Sequence, residues 1–201
     1  MESPMTALLD GTWEVRLVER ADVKDFIEKW HYSGSINGLK VSYSFGLYHD
    51  EVLVGGMIYG KLAMGGVAQK YGVTDDEILE LRRLCLIDDT PRNAESFFIG
   101  KTLRWLKQNT AIKTIVSYAD SNYGHSGVIY RATNFTHVGM TAPGRVIINS
   151  EGRKYHDKAI RTRYNGELKP FAQRLVNELE SGTAHYVTQT PKHTYVMQLR
   201  K

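Results

Sequence analysis

Hydrophobic and polar residues alternate at the start of the chain. Trp13, Val15 and Leu17 are separated by Glu14 and Arg16, which predicts a first strand over residues 13–18. The period then lengthens. Val23, Phe26, Ile27 and Trp30 recur at helical spacing over residues 21–30, with Asp22 in the first turn, where a helix dipole favours a carboxylate. Gly34, Ser35, Asn37 and Gly38 make a loop. Residues 40–48 and 52–59 read as two strands of a hairpin turning at His49-Asp50-Glu51. Gly55-Gly56 inside the second strand predicts a bulge or a close backbone approach.

A glycine-containing connection (60–77) leads to an apolar stretch, 78–87, with the character of a central strand. Pro91 stops it, and Asn93 is placed to cap a helix running to about Gln108, whose buried face is Ile99, Leu103 and Leu106. Residues 114–119 are short and apolar, as a buried parallel strand should be. A helix is expected over 125–133, strands over 135–140 and 145–149, an amphipathic helix over 169–179 and a last strand over 193–199. The order is mixed α/β: an antiparallel meander feeding a parallel pair. Parallel strands joined by a helix open a cleft at their carboxyl ends, so Ile87 and Asp120 mark where chemistry is sought.

Composition changes this picture in two places. The single cysteine, Cys85, excludes an intrachain disulfide and, flanked by Leu84 and Leu86, reads as a buried filler in a protein of a reducing compartment. No apolar run approaches a membrane span, and residues 1–11 lack the basic and apolar regions of a signal peptide; a cytoplasmic protein is expected. The net charge of +4 is uneven: residues 151–201 hold 10 Lys and Arg against 5 Asp and Glu, leaving 16 against 17 for residues 1–150. The expectation is one domain over 1–201, with a core over about 12–150 and a basic extension, 151–201, packed on it. A basic tail with interleaved Tyr and His suits a phosphate backbone, or is simply a solvated surface.

The element order and the text of residues 78–139 resemble the GNAT acyltransferase superfamily. In that family a fourth strand and third helix hold the pantetheine and pyrophosphate of an acyl-CoA, and a Tyr on the fourth helix protonates the departing thiolate. GVIYRATNF (127–135) is similar to that helix and puts Tyr130 at the general-acid position. A phenol of pKa about 10 keeps its proton at neutral pH and matches a thiolate in basicity; the alternative is an amphipathic core tyrosine. The family's phosphate-cradling loop is rich in glycine. Here residues 89–96 read DTPRNAES, with no glycine before Gly100. Arg92, Asn93 and Ser96, with the helix amides, are the donor-phosphate candidates, opposed by Asp88, Asp89 and Glu95. Arg82 and Arg83 point to opposite faces of their strand, one towards a phosphate or carboxylate and the other towards solvent; Arg82 joins the donor set.

A second, narrower resemblance rests on several motifs in one order. WHYSG (30–34), ELRRL (80–84), TPRNAESFFIGKTLRWL (90–106), SYAD (117–120), GHSGVIYRATNF (124–135) and PKHTYV (191–196) are similar to the phage Mom family. Those are GNAT-like enzymes that place a carbamoylmethyl (acetamido) group on the exocyclic amine of adenine in phage DNA, protecting it from restriction. The resemblance implies a transferase acting on DNA. The donor expected is an acetyl-CoA, an aminoacyl-tRNA-like ester or another activated acyl group.

Each matched position has a functional and a plainer reading. His31 and Tyr32 follow a helix at a Gly-rich loop, facing substrate or satisfied by backbone. Asp120 ends the parallel strand, either orienting the target amine and taking its proton or capping the next segment. Ser117 and Tyr118 lie on opposite strand faces, so one of them faces the cleft. Tyr130, Asp120, His31, Tyr32 and Ser117 form the catalytic set. His31, Tyr32, Asp120 and Tyr130 also make a nitrogen and oxygen set that suits iron, which the resemblance admits and no ligand spacing demands. DNA contact falls to Arg153, Lys154, Arg161, Arg163, Lys192 and His193. Because an adenine amine is paired inside a duplex, the base must be flipped or single-stranded, with Tyr32, Tyr123 or Tyr155 to stack on it. The competing functions are an N-acetyltransferase of a small amine or protein, and a DNA-binding domain without catalysis.

Overall fold

The computed structural model describes residues 11–63 and 65–200. The chain forms two compact units. The first takes residues up to Ala119, Ser126–Gly139 and the end from His193; the second takes Asp120–His125 and Met140–Lys192.

The first unit begins with strand β1 (Trp13–Val18) and helix α1 (Arg20–Trp30). The Asp22 carboxylate accepts the Glu19 N–H at 2.9 Å, fastening the first turn of α1. The hairpin of β2 (Val41–His49) and β3 (Val52–Gly60) turns through Asp50 and Glu51, both at positive φ, the two-residue geometry that matches strand twist. The long connection then holds a single turn of helix, α2 (Val67–Lys70), before β4 (Ile78–Leu86), α3 (Ala94–Asn109) and β5 (Thr114–Ala119). The helix expected over 125–133 is shorter, α4 (Val128–Ala132), because Gly124 and Gly127 turn the chain at positive φ ahead of it. An edge strand, β6 (Thr136–Met140), follows.

Strand β12 (His193–Gln198), reached after the second unit, lies between β5 and β6 in a seven-stranded sheet of order β1-β2-β3-β4-β5-β12-β6. The end of the chain is therefore part of the main sheet. One face is packed by α3 through Phe98, Ile99, Leu103 and Leu106 against Phe45, Met57, Tyr59, Leu81, Ile115 and Tyr195. The other is packed by α1 through Val23 and Ile27 against Ile58 and Cys85. Gly56 is what lets α1 approach: a Cβ there would lie 2.9 Å from Ile27 Cγ1. The expected bulge is also present, as a register shift between Leu47 and Tyr48.

The second unit is a small sheet of order β11-β7-β8, from β7 (Gly144–Ile148), β8 (Lys154–His156) and β11 (His185–Gln189), with a two-stranded ribbon of β9 (Arg163–Tyr164) and β10 (Glu167–Leu168). Helix α5 (Pro170–Glu180) starts on Pro170, whose fixed φ suits the first helical position, and packs Leu175 with Ile147 and Ala184. Strands β8 to β11 escape the hydrophobic pattern because they are short and mostly exposed. No helix among the described residues is long and apolar enough to cross a membrane.

Candidate active site

The parallel pairing of β4 with β5 stops early. Ile78–Leu81 of β4 match Thr114–Ser117 of β5, yet β4 continues to Leu86 and β5 to Ala119. On its other side β4 slips register against β3: Leu81 faces Tyr59 and Arg83 faces Ile58, leaving Arg82 as the extra residue. A bulge bends a strand, and here it falls where the two parallel strands part. Ser117, fully buried, sits at that fork and donates from Oγ to the Leu81 carbonyl oxygen at 3.3 Å.

The Tyr130 phenol lies near the same serine. Tyr130 is half-buried as a residue, packed against Phe135 and Tyr195 at ring distances of 5.5 and 5.3 Å, and its hydroxyl end is enclosed. Burial pushes the phenol up to about 12; the nearby Ser117 hydroxyl, which favours the ionised form, pulls it back, and the fields of Tyr32, Glu95 and Glu80 push it further up. Tyr130 and Ser117, two of the five catalytic candidates, thus lie near one another, and the phenol holds its proton.

His31 is buried, and its ring lies 4.2 Å from that of Tyr32. Its Nδ1 accepts the Ser33 N–H at 3.1 Å and lies 2.8 Å from Ser33 Oγ, so in the neutral ring Nε2 carries the hydrogen. Tyr32 is 48% exposed. The neighbouring loop covers β4: Arg83 donates to the Ser35 carbonyl oxygen from Nε at 3.3 Å and Nη2 at 3.2 Å. Neither β4 arginine runs free into solvent. Arg82 pairs with Glu80 at 3.1 Å and donates to the Lys61 carbonyl oxygen at 3.1 Å, while its buried Nε has no partner.

At the start of α3, Asn93 occupies the cap position without a side-chain cap bond. Arg92 is exposed and Ser96 half-buried, beside exposed Asp88, Asp89 and Glu95. These residues do not fit the glycine cradle of an ordinary CoA diphosphate.

Asp120 belongs to the second unit. Its Oδ1 accepts from the Asn122 backbone at 3.0 Å and side chain at 2.7 Å, and its Oδ2 pairs with Lys192 Nζ at 2.7 Å. Burial works to raise its pKa, but Lys192 and Asn122 outweigh that and hold it below the ordinary carboxylate value. The other DNA candidates are placed as follows. Arg153 pairs with Glu151 at 3.1 Å, Lys154 donates to Gln189 at 2.9 Å and lies 5.7 Å over the Tyr123 ring, and Arg163 donates to the Gly166 carbonyl oxygen at 2.9 Å. His193 Nδ1 lies 3.2 Å from His137 Nε2 in the first unit. Arg161 is exposed at the end of a short 3-10 turn. Among the described residues no three His, Cys, Asp or Glu side chains converge as metal ligands would, so the expectation of iron finds no support.

Three residues of this region escaped sequence reasoning in their roles. Tyr195 reads as one apolar position of an alternating strand, yet its ring fills the space beside Gly127 and its hydroxyl meets Arg131. The signal for Gly127 was a glycine just ahead of a helix; nothing local marked its partner 68 residues away.

Comparison with known proteins gives fold and family separately. The structure is similar to an N-acetyltransferase from Staphylococcus aureus (TM-score 0.52, 13% identity, 94% of this chain and 100% of the other). It is also similar to a GNAT N-acetyltransferase from Escherichia coli solved with CoA (0.53, 10%, 96% and 84%) and to the ribosomal-protein-S18-alanine N-acetyltransferase of the same organism (0.51, 9%, 94% and 96%). The fold is that of the GNAT acetyltransferases. In sequence, the chain is 28% identical over 138 residues to the methylcarbamoylase Mom of Escherichia phage Mu, a match that spans 67% of this chain and 56% of the relative. The profile of the Mom protein family matches residues 12–201, and the chain belongs to that family.

Proposed function

We propose that the protein is a transferase that modifies the exocyclic amine of adenine in DNA, adding a carbamoylmethyl-type group that protects phage DNA from restriction. The observation that carries the reading is the enclosed phenol of Tyr130 on α4, packed against Phe135 and Tyr195 beside the fork of β4 and β5. A phenol held neutral there is a proton donor poised for a leaving group. Membership of the Mom family supports DNA as the substrate class, and the GNAT fold supports group transfer from an activated donor.

When bound, the donor supplies an electrophilic carbon and a leaving group. A donor of acyl-CoA type is supported by the neighbour solved with CoA. The acidic start of α3 favours one that does not rest its phosphates on that loop, such as an aminoacyl-tRNA-like ester. The adenine amine nitrogen bonds to the donor's electrophilic carbon as that carbon's bond to the leaving group breaks; Tyr130 Oη gives its proton to the leaving group, and the proton that the amine sheds returns through solvent to the phenolate. Exposed Tyr32 beside buried His31 supplies a ring against which an extruded base stacks, and His31 keeps that ring in place. Asp120, saturated and ionised, is a poor base; it holds the 121–123 turn and Lys192. Arg161 and Arg163, with Arg153 and Lys154, take phosphates.

Mass spectrometry of nucleosides from DNA of cells expressing the protein tests this. The expected result is a modified deoxyadenosine whose added mass fixes the donor class, lost in a Tyr130→Phe variant. Unmodified adenosine with folded protein would overturn the reading, and acetyl-CoA consumption without DNA would assign the site to a small amine or protein instead.

A further inference from the structure

The geometry points to Tyr195 as the positioning residue of the site: its hydroxyl locks the first turn of α4 and so sets where the Tyr130 phenol stands. The inference rests on the reading of Tyr130 as proton donor and adds a residue that the catalytic set did not contain.

Helix α4 has five residues, too few to hold itself, since a single helical turn fixes many dihedrals for few hydrogen bonds. Inside the turn, Tyr130 and Arg131 donate to the Gly127 carbonyl oxygen at 3.1 and 3.2 Å. Something outside the helix must therefore fix Gly127, and Tyr195 does. The ring of Tyr195 lies where a side chain of Gly127 would be: a Cβ there would come within 2.2 Å of Tyr195 Cε2 and 2.7 Å of its hydroxyl. Gly127 also sits at φ 74°, a conformation that glycine adopts without strain.

The hydroxyl completes the lock. Tyr195 Oη donates to the Ser126 carbonyl oxygen at 2.7 Å and accepts from Arg131 Nη1 at 2.8 Å, and the same guanidinium nitrogen donates to the Ser126 carbonyl oxygen at 3.1 Å. The three groups close a triangle across the helix start, from Ser126 before it to Arg131 within it. Tyr195 itself is immovable, 1% exposed in the middle of β12, opposite Ser117 in the ladder with β5. One sheet register thus pairs Tyr195, which anchors the helix carrying Tyr130, with Ser117 at the fork. The Tyr195 and Tyr130 rings, 5.3 Å apart, complete the contact. Since the Tyr195 hydroxyl is engaged with Ser126 and Arg131 and the pair meets through ring packing, Tyr195 acts through the position of Tyr130.

The test is Tyr195→Phe in the full chain, which keeps the ring and removes the triangle. Hydrogen exchange followed by mass spectrometry should show the peptide spanning 126–133 exchanging about tenfold faster, with the rest of the sheet as in the unaltered protein. In protein labelled with 3-fluorotyrosine, the fluorine resonance absent from Tyr130→Phe belongs to Tyr130. Tyr195→Phe should move that resonance and lower its titration midpoint, because a loosened turn admits water to the phenol. Arg131→Gln, at an exposed position, should reproduce both changes at smaller size and serves if Tyr195→Phe does not fold. Exchange and resonance unchanged in a folded variant would overturn the inference, as would faster exchange spread over the whole sheet. Full DNA modification by Tyr130→Phe would instead overturn the proton-donor reading, leaving the clamp to be judged on exchange and fluorine shift alone.

Discussion

Tyr130 and Asp120 lie ten positions apart in the chain, in different units, and their polar ends are satisfied in opposite ways. Tyr130 keeps its proton, buried against one neutral serine that itself has a fixed partner. Asp120 has lost its proton and is bound on both oxygens, by a lysine and by an asparagine that it caps. A titratable group serves as proton donor when its neutral form is held and its surroundings are set to receive charge elsewhere. A carboxylate whose charge is matched by a close cation is stabilised as it stands and gains little from changing. Burial alone does not separate the two; the charge of the neighbour does.

The largest effect expected from this contrast is on Tyr130→Phe. The variant keeps the ring contacts with Phe135 and Tyr195 and removes the one transferable proton, so DNA modification should fall by about 10²- to 10⁴-fold. Its thermal unfolding should change by no more than about 1 kcal/mol in stability. A nucleoside assay and a melting curve on the same preparation check this. Near-normal modification would make Tyr130 a core tyrosine and erase the contrast with Asp120.

How far the sequence revealed these sites depends on what each residue needs. The main sheet and its helices were legible, because burial writes a period of two or of 3.6 into Trp13–Leu17, Val23–Trp30 and Ile99–Leu106. Tyr130 was legible as a candidate through the resemblance of GVIYRATNF to a family helix, and Ser117 through its place in a short parallel strand. The Arg82 bulge and the Tyr195 lock were not, since each depends on strand register between distant segments, which local text does not encode. The bonds of Arg83 to Ser35 were hidden for the same reason: alternation places a side chain on a face and does not say what covers that face. In the second unit, strands of two to five residues leave too few positions for a period to show.

Asp120→Asn tests the other side of the comparison. Asparagine can still accept from the Asn122 amide, so the loss is confined to the Lys192 pair, in which Asp120 is 8% and Lys192 44% exposed as side chains. A half-exposed partner limits the effect to about 1–2 kcal/mol. It should appear as faster hydrogen exchange in residues 120–125 and 186–192. Modification per folded molecule should remain within about threefold of the unaltered protein, a change on the order of 0.7 kcal/mol in the barrier. A loss as deep as that of Tyr130→Phe, with stability intact, would return Asp120 to the chemistry.

The exposed cations of the second unit should affect binding alone. Reversal of Arg161 and Arg163 to Glu removes two positive charges and adds two negative ones. DNA affinity should drop about tenfold or more near physiological salt, by the same factor for different sequences, and the slope of log affinity against log salt should shrink by about 2. Filter binding across a salt series measures it. A loss confined to one sequence would show that these arginines read bases, and unchanged binding would move the DNA surface away from the ribbon of β9 and β10.

The smallest and most selective effect is on pH. Tyr130 has a folded pKa raised above the phenol's ordinary 10, to about 12, so its contribution to stability is full below pH about 10 and is lost as pH rises towards 12. Tyr118 and Cys85, both raised to about 12 by burial, act in the same direction, with Cys85 beginning lower because a thiol ordinarily ionises near 9. Asp120 has a folded pKa below the ordinary carboxylate value of 3.8; its contribution is present above that value and is lost as pH falls through the folded one. The first unit should therefore open in alkali and the second in acid. Peptide-resolved hydrogen exchange, corrected for the intrinsic pH dependence of exchange, should show residues 126–135 loosening between about pH 10 and pH 12 and residues 120–125 loosening below about pH 4. In Tyr130→Phe the alkaline loosening should be reduced by on the order of 1–2 kcal/mol while the acid loosening is untouched. Asp120→Asn should show the reverse. If either substitution altered both limbs, the two regions would be coupled, and the contrast in how they hold their protons would no longer assign one to chemistry and the other to structure.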